Sequence, residues 1–223
     1  MLLATLHHLS HNATLPVDKD SPSLLRAMTT LSQKVVTISY NDLVRISLDD
    51  SVEQDLMIKI GQAFGSDDEC LGILAVTNVP RLETMRHRFL PLARDLAILP
   101  KEELDAITDE GSGYQVGWSH GKEKVEGDKL DLAKGSFYAN PLTDNLLQSR
   151  PNTDPNLARD NPAFFAPNIW PTSSLPNFEI SFKELGTLVC DVGRLLARLC
   201  DAYVKSKVSD KPFNHEDCHM VCG

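Results

Sequence analysis

The segment Leu71-Gly-Ile-Leu-Ala-Val-Thr-Asn-Val-Pro80 is an almost unbroken apolar run that follows the acidic turn Ser66-Asp-Asp-Glu69. It is rich in branched residues and too short for a typical helix, so it is predicted to be a strand buried on both faces. Segments 51–64 and 81–99 flank it with helical periodicity, and each carries one apolar stripe. We expect both helices to lie on this strand and the first half of the chain to fold around it.

Two further elements are predicted before the apolar run. Lys34–Tyr40 has the branched residues and partial alternation of a short strand, and Asn41-Asp42 predicts a turn directly after it. Ser51 and Gln54 have the spacing of a capping box at a helix start. The buried face of that helix is predicted to be Val52, Leu56, Ile60, Ala63 and Phe64.

A longer helical pattern follows the apolar run. Its apolar residues alternate in steps of three and four, which is typical of one helix face; they are Leu82, Met85, Phe89, Leu92, Leu96 and Leu99. Pro91 lacks a backbone donor, so we expect a kink or break near 89–91. Pro100-Lys-Glu-Glu103 then predicts the start of a short helix, because proline is tolerated and acidic residues are favoured in a first turn.

Residues 111–176 lack helical periodicity and are rich in Gly, Pro and aromatic residues, which predicts ordered loops with short strands. Aromatic residues this numerous must cover an apolar surface; they are Tyr114, Trp118, Phe137, Tyr138, Phe164, Phe165 and Trp170. The mixed charges between Lys122 and Lys129 predict a solvated hairpin.

The last predicted element is a long amphipathic helix from Ser181 to about Lys207, with Ser181 and Glu184 as a second capping box. Its apolar stripe consists of Phe182, Leu185, Val189, Val192, Leu196, Leu199 and Tyr203. The chain is therefore expected to contain a flexible leader at 1–33, one domain at 34–207 and a disordered tail at 208–223.

Composition narrows the classes of function. The chain has 223 residues, 42% of them hydrophobic, which is enough for a substantial core. A formal net charge of -9 argues against nucleic acid as a partner, since phosphate binding requires clustered Lys and Arg. No apolar run reaches the roughly 20 residues that span a bilayer, so no membrane partner is expected. Five Cys without a secretory signal indicate reduced thiols and a cytoplasmic location.

The order of these parts resembles the N-terminal region of the isopenicillin-N-synthase-like, iron- and 2-oxoglutarate-dependent dioxygenases. The matching features are a buried strand ending in Asn78, a helix ending at Leu99-Pro100, and Gly113-Tyr114. Val79-Pro80 stands where the family has His-Gly. The later stretches Gly117-Trp-Ser-His-Gly-Lys-Glu123, Lys134-Gly-Ser-Phe-Tyr-Ala-Asn-Pro-Leu142 and Asn168-Ile-Trp-Pro171 look like a poorly characterised branch of that family.

The resemblance implies an oxidoreductase that acts on a small molecule, with Fe(II) and 2-oxoglutarate as cofactors of a full-length relative. It implies an α+β fold in which helices pack on a partial sheet, the N-terminal part of a double-stranded β-helix. The Gly-Tyr element borders the substrate pocket in the family, so Gly113 and Tyr114 are candidate pocket residues, and His120 is a third. The alternatives are core packing for Tyr114 and an ordinary solvent-facing loop position for His120.

The family's iron ligands lie on strands that would follow the long helix, whereas about sixteen residues follow it here. His215, Asp217 and His219 match the ligand types but lie on one short peptide, so they are not expected to form an iron site. A small zinc cluster of His215, Cys218, His219 and Cys222 is an alternative interpretation. The third is that the segment is a frayed C-terminal tail. No catalytic residue, metal ligand or cofactor is therefore expected in this chain itself.

Two functions remain open at this stage. One is an oxidoreductase by descent that is catalytically incomplete in this chain. The other is a non-catalytic binding or interaction module, or a truncated isoform. The sequence indicates neither the substrate nor the oligomeric state.

Overall fold

The computed structural model describes residues 2–7, 35–48, 54–125 and 127–207. Five strands lie in these ranges: β1 (Leu2–His7), β2 (Val36–Ser39), β3 (Leu74–Thr77), β4 (Gly117–His120) and β5 (Lys134–Ala139). The helices are α1 (Tyr40–Leu48), α2 (Gln54–Phe64), α3 (Leu82–Ala97), α4 (Lys101–Ala106), α5 (Leu146–Ser149), α6 (Pro155–Asp160), α7 (Pro162–Phe165) and α8 (Phe178–Lys207). The predicted α+β class is confirmed, while the relation to the N-terminal part of a double-stranded β-helix stays a prediction.

The chain divides into two compact units, where a single domain at 34–207 was predicted. Of the described residues, unit 1 contains 2–7 and those in 81–188, and unit 2 contains 35–48, 54–80 and 189–207. Helix α8 contributes its first turns to unit 1 and the remainder to unit 2. Each unit has its own buried apolar cluster.

Unit 2 is built on a two-stranded parallel sheet in which β2 pairs with β3, from Val36 opposite Leu74 to Ser39 opposite Thr77. The helices α1, α2 and α8 complete its core, which consists of Ile38, Leu43, Leu56, Ile60 and Leu199.

The apolar run does form a strand, but the prediction that both its faces are buried is wrong. Leu74 and Val76 pack on the core of unit 2, whereas Ala75 and Thr77 are exposed. Just before the strand, Ile73 is 53% exposed. Side chains alternate across a strand, so a sheet whose core lies on one side buries only every second residue.

A helix replaces the turn that was predicted at Asn41-Asp42. Helix α1 begins at Tyr40, directly after β2, and the Asn41 amide donates a hydrogen bond to Ser39 Oγ at 3.3 Å. Asp42 in the first turn is favourable at the positive end of a helix. The helical conformation also allows Leu43 to be fully buried, and that tertiary contact outweighs the local turn propensity.

Helix α2 confirms most of its predicted buried face. Leu56, Ile60 and Ala63 are buried, whereas Phe64 is 40% exposed because it lies one residue, or about 100°, around the helix from Ala63. Ser51 and Val52 lie outside the described residues.

Helix α3 of unit 1 runs through Pro91 as one continuous helix, so the break that was predicted as the alternative to a kink does not occur. Pro91 lies on the exposed face, so the His87 carbonyl that loses its helical donor also lies toward solvent. The opposite face buries Met85, Phe89 and Leu96 as predicted, together with Ala93. This face belongs to the core of unit 1, whereas β3, on which α3 was expected to lie, belongs to unit 2.

The core of unit 1 is an aromatic cluster. Phe137 of β5 lies 5.0 Å from Phe178 and 5.9 Å from Phe182 between ring centroids, and Phe89 lies 5.6 Å from Phe182. Trp170 lies 5.4 Å from Phe182. The aromatic residues of 111–176 thus cover α3 and the first turns of α8, as expected for Trp118, Phe137 and Trp170.

The second predicted capping box does not form, because α8 begins three residues earlier, at Phe178. Ser181 is buried, and its amide donates to the Asn177 carbonyl at 3.2 Å. Glu184 forms an ion pair with Arg88 of α3. Burial of Phe178 in the aromatic cluster accounts for the earlier start.

A three-stranded antiparallel sheet completes unit 1, in the order β1-β5-β4. Strand β1 was not predicted; it pairs with β5 from Leu2 opposite Ala139 to His7 opposite Lys134. The rest of the predicted leader, Met1 and 8–33, lies outside the described residues, as does the tail at 208–223. The short helices at 146–165 were also missed, although Asn145 and Asp154 cap two of them by accepting bonds from Gln148 and Asn156.

Asp144 ties three parts of unit 1 together. Its carboxylate accepts hydrogen bonds from Trp170 Nε1 at 2.8 Å, Asn168 Nδ2 at 3.1 Å and Lys183 Nζ at 2.6 Å. Burial would raise the pKa of Asp144, but these three donors outweigh that effect and hold its pKa below the ordinary value.

We expect Asp144→Ala to lower the free energy of unfolding at pH 7 by about 1 kcal/mol, a value reduced for solvent screening because the Asp144 side chain is 52% exposed. A depressed pKa contributes stability above the ordinary value of 3.8, and that contribution disappears as pH falls through the folded-state pKa. The difference between wild type and variant in denaturant melts should therefore shrink below about pH 4. Asp128→Ala, which removes an exposed carboxylate paired with Lys124, is the control. A difference that persists unchanged at low pH would contradict the assignment.

Candidate functional site

A groove of about 770 Å³ lies within unit 1. One wall comes from the residues around α4 and the loop after it, and the other from β4 and the residues that follow it. Its lining residues are Leu99, Lys101, Leu104, Asp105, Thr108, Glu110, Trp118, His120 and Lys122. We call this the α4–β4 groove.

The two walls are joined where α4 ends, by a hydrogen bond from the Trp118 amide to the Ile107 carbonyl at 2.8 Å. Next to it, Thr108 Oγ1 donates to the Leu104 carbonyl at 2.8 Å within the α4 wall. Gly117 forms a bridge with Thr108 and has a φ of 74°. A Cβ at Gly117 would lie 1.9 Å from the Ile107 oxygen, so only glycine permits this approach.

Trp118 and His120 face the groove together because side chains two residues apart share one face of a strand. Trp118 is only 7% exposed and packs over Gly135 of β5, where a Cβ would lie 2.3 Å from the indole ring. The absence of a side chain at Gly135 thus creates the space that the indole occupies.

One pair of charges in the groove is internally matched. Lys101 donates to Asp105 one turn along α4, and this hydrogen bond raises the pKa of Lys101 above its ordinary value. Both side chains are exposed, so the pair contributes little to stability. It leaves this part of the groove without a net charge.

The loop that carries Gly113 and Tyr114 has a constrained backbone. Tyr114 has a φ of 64° and Gly113 a φ of 65°, and this left-handed conformation costs a tyrosine about 1–2 kcal/mol. Hydrogen bonds hold the loop in place: the Tyr114 amide donates to the Asp109 carbonyl at 3.0 Å, and the Gly113 amide to the Glu110 carbonyl at 3.0 Å. Ser112 Oγ donates to the Asp109 carbonyl at 3.1 Å.

This backbone places Tyr114 between two charged lining residues. The Tyr114 hydroxyl donates to Glu110 Oε1 at 3.2 Å, and Lys122 Nζ lies 4.4 Å from the centroid of the phenol ring. The latter distance is that of a cation–π contact. Tyr114 itself is not among the residues that line the groove, but it contacts Glu110 and Lys122, which are.

His120 is oriented by the backbone of the following hairpin. Its Nε2 lies 3.0 Å from the Leu132 carbonyl oxygen, which can only accept, so Nε2 carries the proton that makes this bond. In the neutral imidazole the remaining nitrogen, Nδ1, is then an acceptor. The His120 and Trp118 rings lie 6.2 Å apart.

The segment after His120 forms the hairpin that the charge run predicted. The Val125 amide donates to the Lys129 carbonyl at 2.8 Å, and the Asp131 amide to the Glu123 carbonyl at 2.8 Å. Lys134 Nζ donates to Glu123 Oε2 at 2.8 Å, which lowers the pKa of Glu123 and anchors the residue next to Lys122 to β5. Residue 126 lies outside the described ranges.

The structure brings the three predicted pocket residues to one side of unit 1 in different roles. His120 lines the groove, and Tyr114 contacts two lining residues, Glu110 and Lys122. Gly113 adopts a left-handed conformation directly before Tyr114. Sequence reasoning missed Glu110 and Lys122 as partners of Tyr114. The alternation Trp118-Ser-His120-Gly-Lys122, with three groove residues at every second position, was the available signal.

The iron centre that the resemblance implies does not fit the described residues. Within the described ranges, no three His, Cys, Asp or Glu side chains converge as a metal site would require. The tail candidates His215, Asp217, Cys218, His219 and Cys222 lie outside those ranges. We therefore derive no step through iron from this structure.

Of the residues that carry the resemblance, Asn78 follows β3 with a φ of 58°, and Leu99-Pro100 precede α4. In comparisons with protein-family models, curated proteins and solved structures, no match to this chain was found. The dioxygenase relationship therefore stays a prediction. A search of the described helices found none with the length and apolar character needed to cross a bilayer.

Proposed function

We propose that this chain supplies the small-molecule-binding part of a cytoplasmic oxidoreductase resembling the iron- and 2-oxoglutarate-dependent dioxygenases, and that the α4–β4 groove holds the substrate. On this proposal the chain corresponds to the N-terminal part of a double-stranded β-helix enzyme. The observation that carries the proposal is the constrained Tyr114 backbone beside a groove that combines apolar and charged side chains.

The groove has the properties of a small-molecule site. Its volume of about 770 Å³ lies within the range of roughly 300–1,000 Å³ typical of ligand pockets. Leu99, Leu104 and Trp118 offer apolar surface, while the charged side chains and His120 can orient polar groups of a ligand. Backbone strain of the kind seen at Tyr114 concentrates at functional sites, which supports the same assignment.

The second candidate is a binding module without catalysis. The Tyr114 hydroxyl is committed to Glu110, and His120 Nε2 is committed to the Leu132 carbonyl. The Tyr114 hydroxyl and His120 Nε2 are thus held by structural hydrogen bonds, which favours a role in orienting a ligand over a role in proton transfer.

A bulky substitution inside the groove tests the assignment. Asp105→Trp places an indole among the lining residues, and Glu102→Trp places the same side chain on an exposed part of α4 that does not line the groove. In a saturation-transfer NMR screen of small polar aromatic compounds, we expect wild type and Glu102→Trp to give the same binders and Asp105→Trp to weaken them at least tenfold. Equal binding by all three proteins would contradict the proposal.

The two candidates differ in turnover. A bound compound is incubated with the protein, Fe(II), 2-oxoglutarate and oxygen, and succinate and the oxidised compound are measured. Stoichiometric succinate release that depends on the compound supports the oxidoreductase. Binding without succinate release would show that this chain binds the compound but does not oxidise it by itself.

A further inference from the structure

The charges of the groove are not all matched to one another. Lys101 and Asp105 form an ion pair. Lys122, in contrast, forms no ion pair with any carboxylate of the described residues, and its ammonium lies over the Tyr114 ring. Glu110 accepts one hydrogen bond, from the Tyr114 hydroxyl to Oε1, which leaves Oε2 available.

The positive and the negative group therefore lie on opposite parts of one side chain. Lys122 lies over the face of the Tyr114 ring, and Glu110 lies at its hydroxyl. The left-handed backbone and the loop hydrogen bonds hold Tyr114, whose side chain contacts both charged groups before any ligand arrives. Preorganised charges of this kind orient a ligand at a low entropic cost.

We propose that the groove selects a zwitterion with an apolar side group, the chemical class of an apolar amino acid. The ligand carboxylate pairs with Lys122, its ammonium pairs with Glu110, and its side group lies against Leu99, Leu104 and the edge of Trp118. This inference rests on the proposed function, because it names the class of compound that the α4–β4 groove binds.

The remaining polar groups of the groove agree with a ligand of no net charge. Lys101 and Asp105 cancel, and the four charged lining residues sum to zero. A ligand with one charge only would leave either Lys122 or Glu110 without a partner of opposite charge. In its neutral form His120 offers Nδ1 as an acceptor, which suits an ammonium donor and not a second carboxylate.

Three compounds that share a phenyl ring separate the contributions: L-phenylalanine, 3-phenylpropanoate without the ammonium, and phenethylamine without the carboxylate. Dissociation constants are measured by 15N-HSQC titration on wild type, Lys122→Met and Glu110→Gln. Lys124→Met is the matched control, because Lys124 lies in the same hairpin, pairs with Asp128 and does not line the groove.

We expect wild type to bind L-phenylalanine about fivefold more tightly than either single-charge compound, since exposed charge pairs contribute at most about this factor. Lys122→Met should weaken L-phenylalanine to the level of phenethylamine and leave phenethylamine unchanged. Glu110→Gln should weaken the binding of L-phenylalanine to the level of 3-phenylpropanoate. Lys124→Met should behave as wild type.

If 3-phenylpropanoate or phenethylamine binds wild type as tightly as L-phenylalanine does, the zwitterion assignment is overturned and the groove remains a small-molecule site. If neither charge variant changes the order of affinities, the assignment is overturned as well. If no compound shifts the amides of His120 or Lys122 and the screen with Asp105→Trp is also negative, both proposals fail.

Discussion

Replacing Gly117 by alanine is expected to lower the free energy of unfolding of unit 1 by at least about 3 kcal/mol, and the melting temperature by roughly 6–12 °C. Gly117 has a φ of 74°, and an added Cβ would lie 1.9 Å from the Ile107 backbone oxygen. Relief of that overlap requires the start of β4 to move away from the end of α4. The hydrogen bond from the Trp118 amide to Ile107 would be lost, and the groove would open.

Gly113→Ala is the control for Gly117→Ala. Gly113 has nearly the same conformation, with a φ of 65°, but an added Cβ would meet no atom within 4 Å. Its substitution should therefore cost only the left-handed conformation, about 1–2 kcal/mol. Thermal melts of both variants, followed by circular dichroism, give the comparison. Equal effects would show that the close approach to Ile107 is not what requires glycine at position 117.

Replacing Phe182 by alanine is the second large effect we expect. Phe182 is 0% exposed and has four aromatic neighbours; the ring centroids of Phe89, Phe137, Trp170 and Phe178 lie between 5.4 and 6.2 Å away. Removing a buried phenyl ring costs about 3–5 kcal/mol, through lost transfer energy and the cavity left behind. That is a large fraction of the roughly 5–15 kcal/mol that stabilises a typical domain.

Phe164→Ala is the matched control, because the same side chain is removed from a position that is 76% exposed. Its effect should stay within about 0.5 kcal/mol. Denaturant melts followed by near-ultraviolet circular dichroism report on the aromatic cluster directly. A small effect at Phe182 combined with a large effect at Phe164 would contradict the position of the core.

Much of the helical structure could be predicted because its signal is local. The steps of three and four through Met85, Phe89 and Leu96 correctly predicted the buried face of α3. Phe182 and Leu185 likewise predicted the buried face of the first turns of α8. Pro100 likewise marks the residue before α4. These patterns depend only on which residues share a helix face.

The sequence-based predictions fail where tertiary contacts determine the local structure. The apolar run at Leu71–Pro80 gave the position of β3, but it could not indicate that the two-stranded sheet would be covered on one side only. Ser181 and Glu184 had capping-box spacing, yet burial of Phe178 starts the helix earlier. Asn41-Asp42 favoured a turn locally, whereas burial of Leu43 favours the helix.

The candidate site was predictable in part for the same reason. His120 and Tyr114 were identified as pocket candidates, the latter through the family resemblance. The partners of Tyr114 are four and eight residues away, at Glu110 and Lys122, and they meet at a tyrosine whose backbone is left-handed. No spacing rule for helices or strands predicts that conformation for a tyrosine.

The α4–β4 groove is proposed as a ligand site in which the Tyr114 side chain contacts both Glu110 and Lys122. Intermolecular nuclear Overhauser effects between L-phenylalanine and the protein show where the ligand lies. We expect contacts from the ligand ring to Leu104 and Trp118 and from the ligand Cα proton to the Tyr114 ring. Contacts confined to other parts of the chain, or saturable binding that leaves these protons unaffected, would contradict the proposed site.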